Sequence, residues 1–272
     1  MRTVILLAGP GKPAFGIKNV LAAEQALKNQ GADLLRIGDG ERDLTDTDVS
    51  DMLEAISNAK GDVTLVLMAH GNRNGEVYFK SLHAQSTVKF FQDISKALKH
   101  RKIDIFSTAC YGGLLQKVAL QILPENSVYA SLSPANNGIT ADNIDPFWDY
   151  LNQHKLSCLS AESMLVAYLL SSMKNRYLPT LSTPKYTHDL EAILNGRCGT
   201  LFSIEDRAYI KSTLAVFLED LSVLDTIMDK IEKSRSSDDF GIAQYGLALA
   251  ISYAASGNMT LDITPCVFKP RF

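Results

Sequence analysis

The chain has 272 residues, 46% hydrophobic and 21% charged, with a formal net charge of −3. That is enough for one large or two modest domains with a sizeable core, and the near-neutral charge excludes the basic footprint that nucleic acid or an anionic membrane surface demands. Five histidines and the cysteines at 110, 158, 198 and 266 are too scattered for a zinc knuckle or a CxxC pair, so no metal, no cofactor and reduced thiols in a cytoplasmic compartment are expected.

Residues 1–9 carry one positive charge and an apolar run too short for a signal-peptide core, which makes Thr3–Ala8 a first strand. No stretch reaches about 18 consecutive apolar residues, so no membrane span is expected. Gly9-Pro10-Gly11-Lys12-Pro13 ends the strand, and Ile17, Val20, Leu21 and Leu27 recur at helical spacing up to Gly31. Asp33–Ile37 is a second strand closed by Gly38-Asp39-Gly40. Thr45 or Thr47 caps a helix with Val49, Met52, Leu53 and Ile56 inward. A third strand over 62–69 is followed by Asn74-Gly75 and Val77-Tyr78-Phe79, the signature of a small hairpin. Val88, Phe91, Ile94 and Leu98 mark the next helix and 103–109 the fourth strand. Leu114, Leu115, Val118, Ala119 and Ile122 mark another helix, and 127–132 is the fifth strand.

Five strand–helix alternations in about 130 residues specify an α/β fold, a doubly wound and mostly parallel sheet over 1–143, with ligands expected beyond the carboxyl ends of the strands. Residues 144–272 read as a helical accessory region. A helix capped near Ser160 buries Leu165, Val166, Leu169, Leu170 and Met173. The run 206–233 spaces Ile210, Leu214, Phe217, Leu221, Leu224, Met228 and Ile231 like a short heptad seam. Intramolecular packing of that helix is the preferred reading, and a homo-oligomer seam the second. Residues 240–255 form a buried apolar helix, 234–239 a polar linker, and 261–268 a last strand returning to the sheet. Asp142 and Asp145 are read as caps of the helix that follows.

His70 and Cys110 stand where two consecutive buried strands stop. A thiol attacks a carbonyl as thiolate and needs a base, which His70 supplies before it protonates the leaving amine. Gly71 allows a sharp turn, and the N–H groups of Gly71 and Cys110 are the expected oxyanion donors, each worth about 3 kcal/mol. Cys110 precedes a helix whose N-terminus favours a negatively charged sulfur.

Met68-Ala69-His70-Gly71, with Asn74-Gly75 and an aromatic hairpin after it, resembles the His-Gly block of caspase-like cysteine peptidases, a group that includes caspases, metacaspases, legumains, gingipains and clostripain. The stretch 103–113, an apolar strand ending in Ala109-Cys110-Tyr111-Gly112-Gly113, resembles their second block, with the histidine 40 positions upstream and Thr108 in place of Gln. The segment 38–56 resembles the loop and helix before the histidine strand of legumain-like members, and 127–134 their strand after the cysteine. The resemblance covers roughly 1–140. It implies a caspase-like fold, a His70–Cys110 dyad acting on a peptide or protein substrate, and a substrate pocket lined by Lys12, Thr108 and Ser133. Neutral Thr108 does not match an acid suited to a basic substrate residue. Two other readings stay open: a caspase-like binding or scaffold module with a silent dyad, and an unrelated doubly wound domain that binds a small molecule.

Overall fold

The computed structural model describes residues 2–10, 16–80, 83–132, 141–171, 180–181 and 204–233. In chain order these form β1 (Thr3–Ala8), α1 (Ile17–Asn29), β2 (Asp33–Ile37), α2 (Asp46–Asn58), β3 (Val63–Met68), β4 (His70–Gly71), β5 (Val77–Lys80), β6 (His83–Gln85) and α3 (Thr87–Leu98). Then come β7 (Ile103–Ser107), α4 (Gly112–Ile122), β8 (Val128–Ser131), α5 (Ala141–Gln153), α6 (Ala161–Ser171), β9 (Thr180–Leu181), α7 (Ile204–Leu214) and α8 (Ser222–Lys233). The main sheet has the order β2-β1-β3-β7-β8-β9, and β4-β5-β6 form a small sheet of their own. Strands β2, β1, β3, β7 and β8 are parallel, as the alternation of strand and helix requires. The two-residue β9, which the sequence did not announce, closes the edge antiparallel to β8.

Because side chains alternate across a strand, the apolar runs feed two cores. Val4, Leu6, Ala8, Val66, Met68 and Phe106 point to one face, where α1, α5 and α6 cover them. Ile5, Leu7, Leu65, Leu67 and Ile105 point to the other, under α2, α3 and α4. Each large apolar side chain buried this way contributes about 1.5–3 kcal/mol relative to exposure. Helix α2 begins with a capping box. Thr45 Oγ1 accepts from the Asp48 N–H at 3.1 Å, and Asp48 Oδ2 accepts from the Thr45 N–H at 2.7 Å. In α3 the sequence pattern needs one change: Val88 is exposed, and Phe90 joins Phe91, Ile94 and Leu98 inside.

The helical part is no separate layer at its start. Phe147, Trp148, Met164, Leu165 and Tyr168 share one core with the strands, so residue 143 lies inside α5, within the cover of the sheet. A parallel sheet must be covered on both faces, and α1 alone cannot span five strands. Ser160 caps α6 as expected, accepting the Ser163 N–H at 3.1 Å. Asp145 lies within α5, past its first residues, and accepts a hydrogen bond from Asn19 Nδ2 at 2.7 Å.

The single helix expected over 206–233 is two, α7 and α8. Between them Leu218 makes an antiparallel bridge to Leu156, with Ser157 N–H donating to Phe217 O and Glu219 N–H to Lys155 O, both at 3.1 Å. Asp220 Oδ1 then accepts the Ser222 N–H at 2.8 Å and starts α8. Apolar spacing cannot tell one helix from two that present one face to the same core. Of the seven seam positions Ile210, Leu214, Leu224 and Met228 are buried in this chain's own core, and Phe217 and Leu221 pack against it partly buried. No helix among the described residues is long and apolar enough to cross a membrane. The stretches expected over 234–239, 240–255 and 261–268 lie outside the described residues.

Candidate active site

Along β3 and β7 every partner is offset by 40 residues: Val63 faces Ile103, Leu65 faces Ile105 and Leu67 faces Ser107. The ladder runs one step further, with the Thr108 N–H donating to Leu67 O at 2.9 Å. His70 and Cys110 share that offset, so the strand register brings the two to matching places at the carboxyl edge of the sheet. Gly9, whose N–H donates to Met68 O at 2.9 Å, and the 38–42 loop after β2 lie on the same edge.

At His70 the chain leaves the main sheet. His70 and Gly71 pair antiparallel with Tyr78 and Val77, and the hairpin turns at 72–75, where the Gly75 N–H donates to Asn72 O at 3.1 Å. Asn72 holds this turn from its side chain. Its Oδ1 accepts the N–H groups of Asn74 and Glu76 at 2.9 and 3.2 Å, and its Nδ2 donates to Glu76 Oε2 at 2.7 Å. Gly75 takes φ 73°, which explains why the Asn-Gly pair stands there.

Gly71 does something other than turn the chain. Its φ is not positive, and it lies in strand backbone. A Cβ at this position would overlap the carbonyl oxygen of Cys110 and stand 3.1 Å from its carbonyl carbon and 3.5 Å from its nitrogen. Glycine is needed because the two backbones touch. The residue after the histidine therefore rests on the peptide of the cysteine, and both His70 and Cys110 are half-buried.

Cys110 is followed by a sharp reversal. Tyr111 is left-handed, with φ 56° and ψ 26°, and is the N-cap of α4; the Leu114 N–H donates to Tyr111 O at 2.9 Å. Four residues, 108–111, connect strand to helix, and the cysteine and the left-handed residue are the last two of them, which puts Cys110 at the apex of the turn. Arg73, on the hairpin that carries His70, donates from Nε to the Tyr111 hydroxyl at 3.1 Å. Neither Arg73 nor Tyr111 stood out in the sequence. The left-handed residue left no signal, because a four-residue strand-to-helix connection is of ordinary length.

Beneath the apex lie neutral polar groups. Ser107 Oγ accepts the Ala109 N–H at 3.3 Å, and Gln116 Nε2 donates to Tyr129 O at 2.7 Å. Burial pushes the Tyr129 phenol far above its ordinary value, so it stays neutral. Thr108, expected to line a substrate pocket, is only 2% exposed, and its hydroxyl faces Leu67 O at 3.4 Å. Lys12 and Ser133 lie outside the described residues. Among the described residues no cluster of three or more metal-ligating side chains occurs. A cavity of about 460 Å³ opens at the opposite, amino edge of the sheet, lined by residues such as His100, Lys102 and Glu125, away from His70 and Cys110.

No protein-family model matches the sequence, and no curated protein matches it.

Proposed function

We propose that this chain is a cysteine endopeptidase of the caspase-like kind, with His70 and Cys110 as its dyad. The observation that carries the reading is the contact of Gly71 with the Cys110 peptide, on strands whose offset equals the spacing of the two residues. Convergence of a base-bearing segment on a thiol-bearing one, at the edge where doubly wound sheets bind ligands, is what nucleophilic catalysis needs.

In this mechanism His70 takes the thiol proton and Cys110 Sγ attacks the carbonyl carbon of the scissile peptide bond. The N–H groups of Gly71 and Cys110 are assigned to the oxyanion of the tetrahedral intermediate. As it collapses the C–N bond breaks, and His70 gives its proton to the leaving amine. Water, deprotonated by His70, then attacks the thioester; the carboxylic acid departs and the thiol is restored. No cofactor enters the cycle.

Cleavage profiling on a peptide library, with Cys110→Ala and His70→Ala as controls, tests the proposal together with labelling by a peptidyl chloromethyl ketone. The expected result is cleavage lost in both variants and pH-dependent labelling of Cys110 that requires His70. Equal labelling of Cys110 and Cys158 with no peptide cut would overturn it in favour of a binding module with a silent dyad.

A further inference from the structure

Three features meet beside the proposed nucleophile. Tyr111, a non-glycine residue in the left-handed region, directly follows Cys110. Such a conformation is uncommon for a bulky side chain and persists only where surrounding contacts hold it. Arg73 Nε donates to its hydroxyl at 3.1 Å. Arg73 also sits two residues beyond Gly71, whose backbone rests on the Cys110 peptide.

We propose that the Arg73–Tyr111 hydrogen bond is a latch that positions the nucleophile. It ties the tip of the histidine hairpin to the residue whose left-handed backbone sets the exit direction of the chain from Cys110. The inference rests on the reading of His70 and Cys110 as a dyad. The latch and the Gly71 contact grip the Cys110 peptide from two points of one hairpin. A shift of the hairpin therefore moves base and nucleophile together, and their mutual geometry is preserved. Without the latch, Tyr111 loses one of the contacts that hold it left-handed, and its backbone shifts toward the more populated right-handed or extended regions. That would rotate the Cys110–Tyr111 peptide and swing the thiol relative to His70. Arg73 is a positioning residue: it acts through Tyr111 and takes no proton in the reaction.

The test uses Arg73→Ala, Tyr111→Phe, their double variant and Tyr111→Asn in the full chain. Asparagine tolerates the left-handed region but lacks the phenol. Each single variant is expected to lower kcat on the order of tenfold with KM little changed, because misplacement costs rate more than binding. The double variant should be no worse than either single one, and Tyr111→Asn, which bears less left-handed strain, should unfold at or above the temperature of Tyr111→Phe. Exchange of the Leu114 amide, which donates to Tyr111 O, reads the latch independently of catalysis and should speed up about tenfold in Arg73→Ala. Unchanged Leu114 exchange, or losses that multiply in the double variant, would overturn the latch. Loss of His70-dependent alkylation in the wild-type protein would overturn the peptidase reading instead, and Leu114 exchange would still decide the latch.

Discussion

The two edges of the main sheet each present a cysteine, and they hold it by different physics. At the carboxyl edge Cys110 is placed by backbone: a left-handed turn, a strand register and the touching peptide of Gly71. At the amino edge Cys158 is placed by polar side chains. Its sulfur lies 3.2 Å from Ser163 Oγ and 3.5 Å from Ser160 Oγ at the start of α6. Nearby, Arg2 pairs with buried Asp104 and with Asp62, and donates to Thr64, whose hydroxyl reaches Leu159 O at 2.7 Å. Partial burial pushes the Cys158 thiol up, but hydrogen bonds with Ser160 and Ser163 and the charge of Arg2 outweigh it, so the thiol lies below its ordinary value. A stabilised thiolate is only half of a catalytic site. Among the described residues the hydrogen bonds of Cys158 go to serines and not to a histidine, and no strand register brings a base to it.

That contrast is easiest to break with the two thiols themselves. Cys110→Ala should lower peptide hydrolysis by about 10³-fold or more, whereas Cys158→Ala should leave it unchanged within about twofold. Steady-state cleavage of a fluorogenic peptide measures both, and a Cys158 effect as large as that of Cys110 would end the distinction.

The amino edge should respond to charge. Asp104→Leu leaves Arg2, whose side chain is 18% exposed, with the outer Asp62 as its remaining carboxylate partner among the described residues. Breaking a buried pair from one side is expected to cost about 3 kcal/mol in urea unfolding. Hydrolysis at pH 7 should survive in the fraction that stays folded, since the pair lies at the far end of the strands.

The carboxyl edge should respond to volume instead. Gly71→Ala puts a methyl group into the Cys110 carbonyl, so one of the two backbones must move. Activity should fall about 100-fold, with an unfolding free energy lower by about 1–3 kcal/mol. Full activity with normal stability would mean that the contact does not position the cysteine.

A smaller effect tests the loop beside the site. Arg42 donates to both carboxylate oxygens of Asp48 at 2.7 Å. The Arg42 hydrogen bonds outweigh desolvation, which opposes them, and with the N–H and hydroxyl of Thr45 they hold the Asp48 carboxyl well below the usual carboxylate range. A depressed carboxyl contributes stability above its unfolded value near 4 and loses it as pH falls through the folded value. Asp48→Asn should therefore cost about 1 kcal/mol at pH 7, and less at pH 2.5, in urea titrations at the two pH values. Smallest of all, Ser163→Ala should raise the pH midpoint of Cys158 alkylation by iodoacetamide and slow labelling about threefold at pH 7. The Cys110 profile should not move.

How much could be read from the chain follows from the range of each signal. Strand β3 and its histidine were legible because a run from Val63 to Met68 with no polar break but Thr64 reads as strand in any context. The hairpin was legible from Asn74-Gly75, since the demand for positive φ at Gly75 is local. Gly71 was noticed for the wrong reason: a glycine required by a touching peptide looks, in sequence, like a glycine required by a turn. The split of 206–233 was hidden because it depends on Leu156, some sixty residues earlier, pairing with Leu218. The role of α6 as cover for the sheet was hidden likewise, since a helix buried nearly all round has no face to announce its neighbour.

By itself the sequence determined the alternation of strands and helices, their parallel direction, and the edge at which His70 and Cys110 emerge. These follow from periodicity, strand ends and the handedness of crossovers, all of which act over short stretches of chain. Only the tertiary structure decided that the offset between β3 and β7 matches the spacing of the two residues. It alone decided that Gly71 rests on Cys110 and that Arg73 reaches Tyr111. Those contacts join segments some forty residues apart, and what makes them is packing between strands and hairpin, which no local propensity encodes.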